Sequence, residues 1–332
     1  MKVTEKCASQ GEQTLIICDF SPPRSADPAT LEVAKSLGAD FICVAYSPGR
    51  SVRVDSAMMA SAISRRFGKE VIFNLATRDM NKLAVQNHLL GAEMLGLKNV
   101  VVLKGDDFGD KDVSRVKLVG DFTPTGLIQA LGRMNEGLDF RGRKLSSPSD
   151  LCIGATIDLS RPLESEAELT HRKAAAGAHF FLTQPIFGKD EVASFIDAYR
   201  AASGEDLSQP VFFGVQVLVK GGVIFSTVPE RTRKDLEAGR EGTDIALQLL
   251  QDFSDLGINR IYLVPPILKG GARDYQAAQL VIEGVRRDPS AARSVAPGGA
   301  WIARLTIPQQ CYTFHLMVYT NWARPPSVSQ PR

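Results

Sequence analysis

Three side chains in this sequence have the chemistry and the placement to act on a bound molecule. Asp19, Asp106 and Gln184 each stand at or just beyond the end of a run of apolar residues. Carboxylates exchange protons, and carboxylates and amides bind the hydrogen-bonding groups on the edge of a heterocycle. No nucleophilic Ser–His or Cys–His pair and no histidine cluster accompanies them, which argues against acyl transfer and metal-assisted hydrolysis. The three residues favour acid–base chemistry on a heterocycle.

The stretch Asn99–Asp107 shows the kind of element that positions these side chains. Four branched apolar residues, Val100–Leu103, stop abruptly at a lysine, a glycine and two aspartates. Such a run predicts a buried parallel strand that displays polar groups at its C-terminal end. Ligands of parallel α/β sheets bind at that end. Taken alone, the stretch is equally compatible with a strand followed by a simple Gly-Asp turn.

Eight such apolar runs alternate with helical segments along the chain. The predicted strands are Thr14–Phe20, Phe41–Tyr46, Glu70–Leu75, Asn99–Leu103, Leu151–Ile157, His179–Gln184, Pro210–Val215 and Asn259–Val264. Strands that alternate with helices imply βαβ units and a parallel sheet, and eight units in about 275 residues match a (β/α)8 TIM barrel. We therefore predict one barrel domain over residues 1–288 and an irregular C-terminal extension over residues 289–332. That extension is open to interpretation as a flexible tail, an oligomer contact or an unusual terminus.

In a barrel, the C-terminal ends of all strands face one mouth. The polar residues predicted there include Asp19, Tyr46, Asn74, Lys104, Asp106, Asp158, Gln184 and Gln216. Simpler structural roles compete with function at each position, since Asp19 could cap the segment after the Pro-Pro turn and Asp106 could be a turn residue. Arg172 and Lys173 are predicted to be a solvated basic pair unless their helix leans over the mouth.

Composition argues against a nucleic-acid-binding, metal-binding or membrane protein. The 39 basic and 37 acidic residues give a net charge of +2, so no strong field favours nucleic acid or an anionic membrane. The five cysteines form no CxxC and no ligand spacing with histidine, so no metal site is predicted. The polar N-terminus lacks the apolar core of a signal peptide, and no apolar run approaches the ~18 residues of a membrane span. A soluble, cytoplasmic protein is expected.

Motifs at the strand ends resemble those of the methylenetetrahydrofolate reductases. Leu103-Lys104-Gly105-Asp106 is similar to the family's L-R-G-D, and Val44-Ala45-Tyr46 to its V-T-Y. Arg172-Lys173, followed by Ala176-Gly177-Ala178 and Leu182-Thr183-Gln184, is similar to its R-K…AGA…TQ run. The segment Asp19–Arg24 is similar to its acidic first-strand motif with two prolines. The likeness to the family's catalytic barrel extends over roughly Thr14 to Arg286.

The resemblance implies a function and a role for each matching residue. It implies reduction of 5,10-methylenetetrahydrofolate to 5-methyltetrahydrofolate, with NAD(P)H as electron donor through bound FAD. Asp19 would take the place of the family's general acid, Asp106 would bind the pterin and tune the flavin, and Gln184 would bind the pterin. The residues implied to lie along FAD are Tyr46, Asn74, Leu103, Lys104, Gly105, Asp106, Glu166, Arg172 and Lys173.

Several positions depart from the family pattern. The catalytic glutamate is here Asp19, which would set the proton donor about 1 Å further back, a distance to which catalysis is sensitive. A family threonine, histidine, arginine and asparagine are replaced by Ala45, Asn74, Lys104 and Leu169. Two alternatives therefore stand beside the flavin-dependent reductase: an FAD-independent, NADH-dependent reductase, and a non-catalytic folate-binding partner subunit of a methyl-transfer complex. The sequence is compatible with a homo-oligomer and with either NADH or NADPH as electron donor.

Overall fold

A computed structural model describes residues 1–287 of the chain. Eight parallel strands pair in sequence order, and the first also pairs with the last, so the sheet closes into a barrel. The strands are β1 (Leu15–Phe20), β2 (Phe41–Val44), β3 (Val71–Ala76), β4 (Asn99–Leu103), β5 (Cys152–Ile157), β6 (Phe180–Pro185), β7 (Val211–Gln216) and β8 (Arg260–Val264). This confirms the predicted (β/α)8 barrel. The extension predicted over residues 289–332 lies outside the described residues.

Helices follow the strands around the outside of the barrel, except the first, which precedes β1. They are α1 (Val3–Gln10), α2 (Ser56–Phe67), α3 (Lys82–Met94), α4 (Asp110–Val113), α5 (Pro124–Asn135), α6 (Leu163–Ala175), α7 (Lys189–Ser203), α8 (Glu230–Glu237), α9 (Gly242–Ser254) and α10 (Tyr275–Arg287). The helix expected after β1 is a 3-10 helix, Pro28–Ser36, whose first turn is capped by the Asp27 side chain. No helix within residues 1–287 is long and apolar enough to cross a membrane.

The alternation of side chains along each strand decides which residues face the barrel axis. On β1, Leu15 and Ile17 belong to the inner apolar cluster, whereas Ile16 and Cys18 pack in the outer cluster between sheet and helices. Asp19 continues the inner series at the C-terminal end of the strand. The two-residue period that buries β1 therefore also aims its carboxylate at the axis.

The centre of the barrel is filled by side chains. A Cβ placed on Gly154 would lie 2.4 Å from the ring of Phe180, so the glycine makes room for that ring. Phe180 in turn meets Phe212 edge to face, with ring centroids 6.3 Å apart. A packed centre leaves the space above the strand ends as the place for a ligand.

Helix α1 covers the N-terminal end of the barrel and was not expected from the polar sequence of this segment. Val3 is completely buried and donates its backbone N–H to Asn99 Oδ1 at 2.9 Å, and Cys7 packs in the same inner cluster. Arg260 ties the end of the helix down by donating to the Gly11 carbonyl at 2.6 Å. With this end covered, the C-terminal mouth is the open end of the barrel.

Candidate functional site

The three residues singled out for chemistry all lie at the mouth, but in different environments. Asp19 is only 4% exposed on the axis side of β1. Gln184 is exposed near the end of β6, on the same side of the strand as the inward-facing Phe180 and Leu182. Asp106 is exposed just beyond β4. The fold thus brings one buried acid and two exposed polar groups to one end of the barrel.

Two residues that the sequence did not point to hold the carboxylate of Asp19. The Tyr262 hydroxyl donates to Oδ1 at 3.0 Å, and Arg273 Nε lies 3.4 Å from Oδ2. Burial raises the pKa of Asp19 above its ordinary value, although the charge of Arg273 and the two hydrogen bonds act in the opposite direction. A buried carboxyl of this kind keeps its proton at a higher pH than a solvated aspartate and can serve as an acid.

Arginine side chains cluster on the side of the mouth next to Asp19. Arg53 donates to the Pro22 carbonyl at 2.9 Å, which places its guanidinium beside the loop that follows β1. Its pKa is lowered by burial and by the nearby charges of Arg273 and Arg24. Like charges held together in this way favour an anionic group on a ligand.

The other side of the mouth is organised by Arg78, which sequence reasoning also missed. This arginine is 6% exposed and forms an ion pair with Asp79, with Nε 2.6 Å from Oδ1. Its Nη1 donates to the backbone carbonyl of Asp106 at 2.6 Å, and its guanidinium lies 4.3 Å from the ring centroid of Phe108. Arg78 thereby fixes the loop after β4 and leaves the Asp106 carboxylate exposed.

Tyr46 and Gly105 lie on the same side of the mouth as Arg78. Burial and the neighbouring Asp79 raise the pKa of the Tyr46 hydroxyl. Burial opposes ionisation of Asp79 as well, but hydrogen bonds from Arg78 and Tyr46 outweigh it and lower its pKa.

Gly105 adopts a φ of +83°, and a Cβ there would lie 3.0 Å from the Ala76 side chain, so this turn requires glycine.

The expectation that Lys173 is solvated is wrong. Lys173 is 5% exposed, donates to the Thr156 carbonyl at 2.5 Å, and lies 3.5 Å from Glu166 Oε1. The same Glu166 oxygen accepts from the backbone N–H of Asp158 at 3.2 Å, and Arg161 approaches the other oxygen. Burial raises the pKa of Glu166 and lowers that of Lys173. The pair therefore stabilises the C-terminal end of β5, where it lies between this strand and α6.

The residues implied for FAD separate into two groups. Tyr46 and the segment Leu103–Asp106 lie at the C-terminal ends of β2 and β4, whereas Asn74 is buried within β3 and accepts a hydrogen bond from the Cys43 thiol at 3.3 Å. Lys173 is paired inside the fold, whereas Lys104 is exposed and forms a weak surface ion pair with Asp107 at 2.9 Å. Arg172 is the one basic residue of the implied set that is exposed without an acidic partner in residues 1–287. Of the implied set, Lys173 and Glu166 are therefore not free to bind a flavin dinucleotide in the way the resemblance implies.

Gln216, the second glutamine predicted at the mouth, is used by the fold itself. Its amide donates to the Val223 carbonyl at 2.7 Å and its oxygen accepts from the Phe225 N–H at 3.2 Å. Phe225 is held half-exposed over the mouth, with the Arg273 guanidinium 5.7 Å from its ring centroid. Phe225 thus presents a half-exposed ring near Arg273, the residue that contacts Asp19, and such a ring can stack on a flat heterocycle.

Comparison with known proteins agrees with this architecture. Residues 3–221, more than half of the chain, match the methylenetetrahydrofolate reductase family. A solved structure of an uncharacterised protein from Clostridium thermocellum, described as binding two copies of 5-methyl-5,6,7,8-tetrahydrofolic acid, shares 12% identity with a TM-score of 0.59. That match covers 86% of this chain and 98% of the other, and at this identity it concerns the fold alone.

A second solved structure is more distant. It is 2,3-dimethylmalate lyase, a PEP mutase/isocitrate lyase superfamily member, with 14% identity over 92% of this chain and 93% of the other. Its TM-score of 0.47 is too low to carry any argument about this chain. The family match rests on the sequence itself and includes the β1, β4 and β6 strand ends. On that match, the chain belongs to the methylenetetrahydrofolate reductase family.

Proposed function

We propose that this chain reduces 5,10-methylenetetrahydrofolate to 5-methyltetrahydrofolate with NAD(P)H as electron donor. The observation that carries the proposal is the buried Asp19 at the barrel mouth, whose pKa is raised as a proton donor requires. Membership of the family supports the substrate class. So does the bound methyl-folate described for the Clostridium thermocellum protein of similar fold.

In the proposed reaction, the role of Asp19 is to open the methylene bridge. Its proton goes to N10 of the folate as the bond from the methylene carbon to N10 breaks, which leaves an iminium at N5. A hydride from NAD(P)H then adds to the methylene carbon and gives the methyl group, while the nicotinamide is oxidised. Asp19 ends ionised, and the nearby Arg273, 3.4 Å from Oδ2, stabilises that carboxylate.

The exposed polar groups at the mouth suit the pterin. Gln184 offers both a donor and an acceptor, and Asp106 offers a negative charge for the cationic intermediate. Within residues 1–287 neither side chain has a hydrogen-bonding partner, so both can bind a ligand. Arg24 and Arg53, on the basic side of the mouth, are placed to meet the carboxylates of the folate tail.

Replacing Asp106 by asparagine is expected to lower the turnover number by roughly a hundredfold or more, because it removes the charge that stabilises the cationic pterin. The measurement is NADH oxidation that depends on 5,10-methylenetetrahydrofolate. Asp107→Asn is the matched control, since it removes the neighbouring exposed carboxylate, which pairs with Lys104. Turnover close to that of the wild type in the Asp106 variant would rule out this role.

In this proposal the hydride passes directly from NAD(P)H to the folate, rather than through the bound FAD that the resemblance implies. The burial of Lys173 against Glu166 favours this direct route, because that cation is unavailable to a dinucleotide phosphate. The expected result is a purified protein with no flavin absorption near 380 and 450 nm, about the values for flavins, even after FAD is added. Flavin bands that persist after removal of free FAD would contradict the direct route.

A further inference from the structure

Asp19 receives a hydrogen bond from inside the barrel. In the register between β1 and β8, Tyr262 stands opposite Ile17, one inward-facing position below Asp19. Its hydroxyl reaches Oδ1 at 3.0 Å. Burial and the nearby Asp19 keep the pKa of Tyr262 well above its ordinary value, so the phenol remains a donor.

Arg273 approaches the other carboxylate oxygen from the loop after β8. Its side chain is 5% exposed, with Nε 3.4 Å from Oδ2. Its Nη1 donates to the Gly271 carbonyl at 3.4 Å, and the guanidinium packs over the ring of Phe225. The two carboxylate oxygens of Asp19 thus have different partners, and both partners are anchored.

We propose that Tyr262 and Arg273 are positioning residues that fix the orientation of the Asp19 carboxyl and set the pH at which it takes up its proton. The proposal rests on the proposed function, because it treats Asp19 as the proton donor. A hydroxyl and a guanidinium that both bind the ionised form lower the pH at which the carboxyl is half protonated. Burial raises that pH. The balance between burial and these two hydrogen-bond donors determines the fraction of Asp19 that is protonated.

The other titratable groups near Asp19 are neutral. They are the thiols of Cys18 on β1 and Cys43 on β2 and the phenol of Tyr275 on α10, and burial raises the pKa of all three. Among the described residues, Arg273 is therefore the single charged group in contact with Asp19. In a variant without this charge, only the hydrogen bond from Tyr262 opposes the rise in the pKa of Asp19 that burial causes.

The test follows protonation of Asp19 directly and uses three variants. The infrared C=O band of the protonated carboxyl is recorded against pH, with Asp19→Asn identifying the band. The midpoint is expected to move to higher pH in Tyr262→Phe, and further in Arg273→Gln. Lys269→Gln is the matched control, because it removes an exposed positive charge from the same loop and should leave the midpoint unchanged.

Kinetics supply a readout that a merely structural role would not move. Reduction requires protonated Asp19, so kcat falls as pH rises through its pKa, and this limb should shift by the same amount as the infrared midpoint. An unchanged midpoint in both variants would overturn the proposal. A shifted midpoint in a protein without folate turnover would uphold the positioning roles while refuting the proposed function, so the two failures are distinguishable.

Discussion

The variant Asp19→Asn is expected to lose at least about a hundredfold in folate turnover, because general acid catalysis contributes that much or more. Asparagine matches aspartate in size and can still accept a hydrogen bond from Tyr262, but it carries no transferable proton. The loss should appear in kcat, with a much smaller change in KM for the folate. Initial rates of NADH oxidation at saturating folate are the measurement.

Asp19→Glu is the matched control for this variant. It keeps a carboxyl and moves it about 1 Å towards the mouth, the distance by which this chain differs from the family glutamate. We expect it to retain far more activity than the asparagine variant. If Asp19→Asn stays folded by circular dichroism and turns over within a few-fold of the wild type, Asp19 is not the acid.

The variant Lys173→Met is expected to lower the free energy of unfolding by about 3–5 kcal/mol at neutral pH, because it leaves a buried carboxylate without its buried cation. Glu166 is 1% exposed, and Arg161, which remains, is half in solvent. Burial already raises the pKa of Glu166 in the folded chain. Denaturant unfolding followed by circular dichroism is the measurement.

The pH dependence of that loss has a definite sign. Without Lys173 the folded chain binds a proton on Glu166 more tightly than the unfolded chain does. Stability is therefore retained below the ordinary pKa of a glutamate and is lost as pH rises through the raised value. A second change, Glu166→Gln, should restore much of the stability in the double variant. A loss in Lys173→Met no larger than that in the exposed Lys104→Met would contradict the account.

The barrel could be predicted because its strands are buried on both faces. Parallel strands of this kind are continuous apolar runs, and β4 (Asn99–Leu103) agrees with its predicted range residue for residue. Helix α1 was missed because its sequence is mostly polar and its burial depends on a few residues, such as Val3, that meet the barrel floor. That contact is tertiary and leaves little trace in the local pattern.

The buried ion pair of Glu166 and Lys173 could have been predicted from the spacing of residues in α6. Glu166, Thr170 and Lys173 are spaced four and three residues apart, so they lie on one face of α6, together with the buried Ala167. A helix that must pack against a barrel buries one face. On the face that contains the buried Ala167, Glu166 and Lys173 indicate an internal ion pair better than a solvated surface, whereas the buried Thr170 hydroxyl has no hydrogen-bonding partner among the described residues.

The partners of Asp19 could be predicted only in part. Tyr262 follows from the two-residue period of β8, once strands β1 and β8 are known to be neighbours. Arg273 lies in a loop after the last strand, and no periodicity says where a loop side chain points. Closure of the barrel, a property of all eight strands, is what brings this arginine to a residue 254 positions earlier.

The measurement that tests the proposed reaction most directly is mass spectrometry of the folate pool after incubation of the purified chain with NADH and 5,10-methylenetetrahydrofolate. We predict accumulation of 5-methyltetrahydrofolate with the wild-type chain, and at least about a hundredfold less with Asp19→Asn. Tight folate binding without any methyl product would contradict the reductase proposal. That result would instead favour a folate-binding subunit of a methyl-transfer complex.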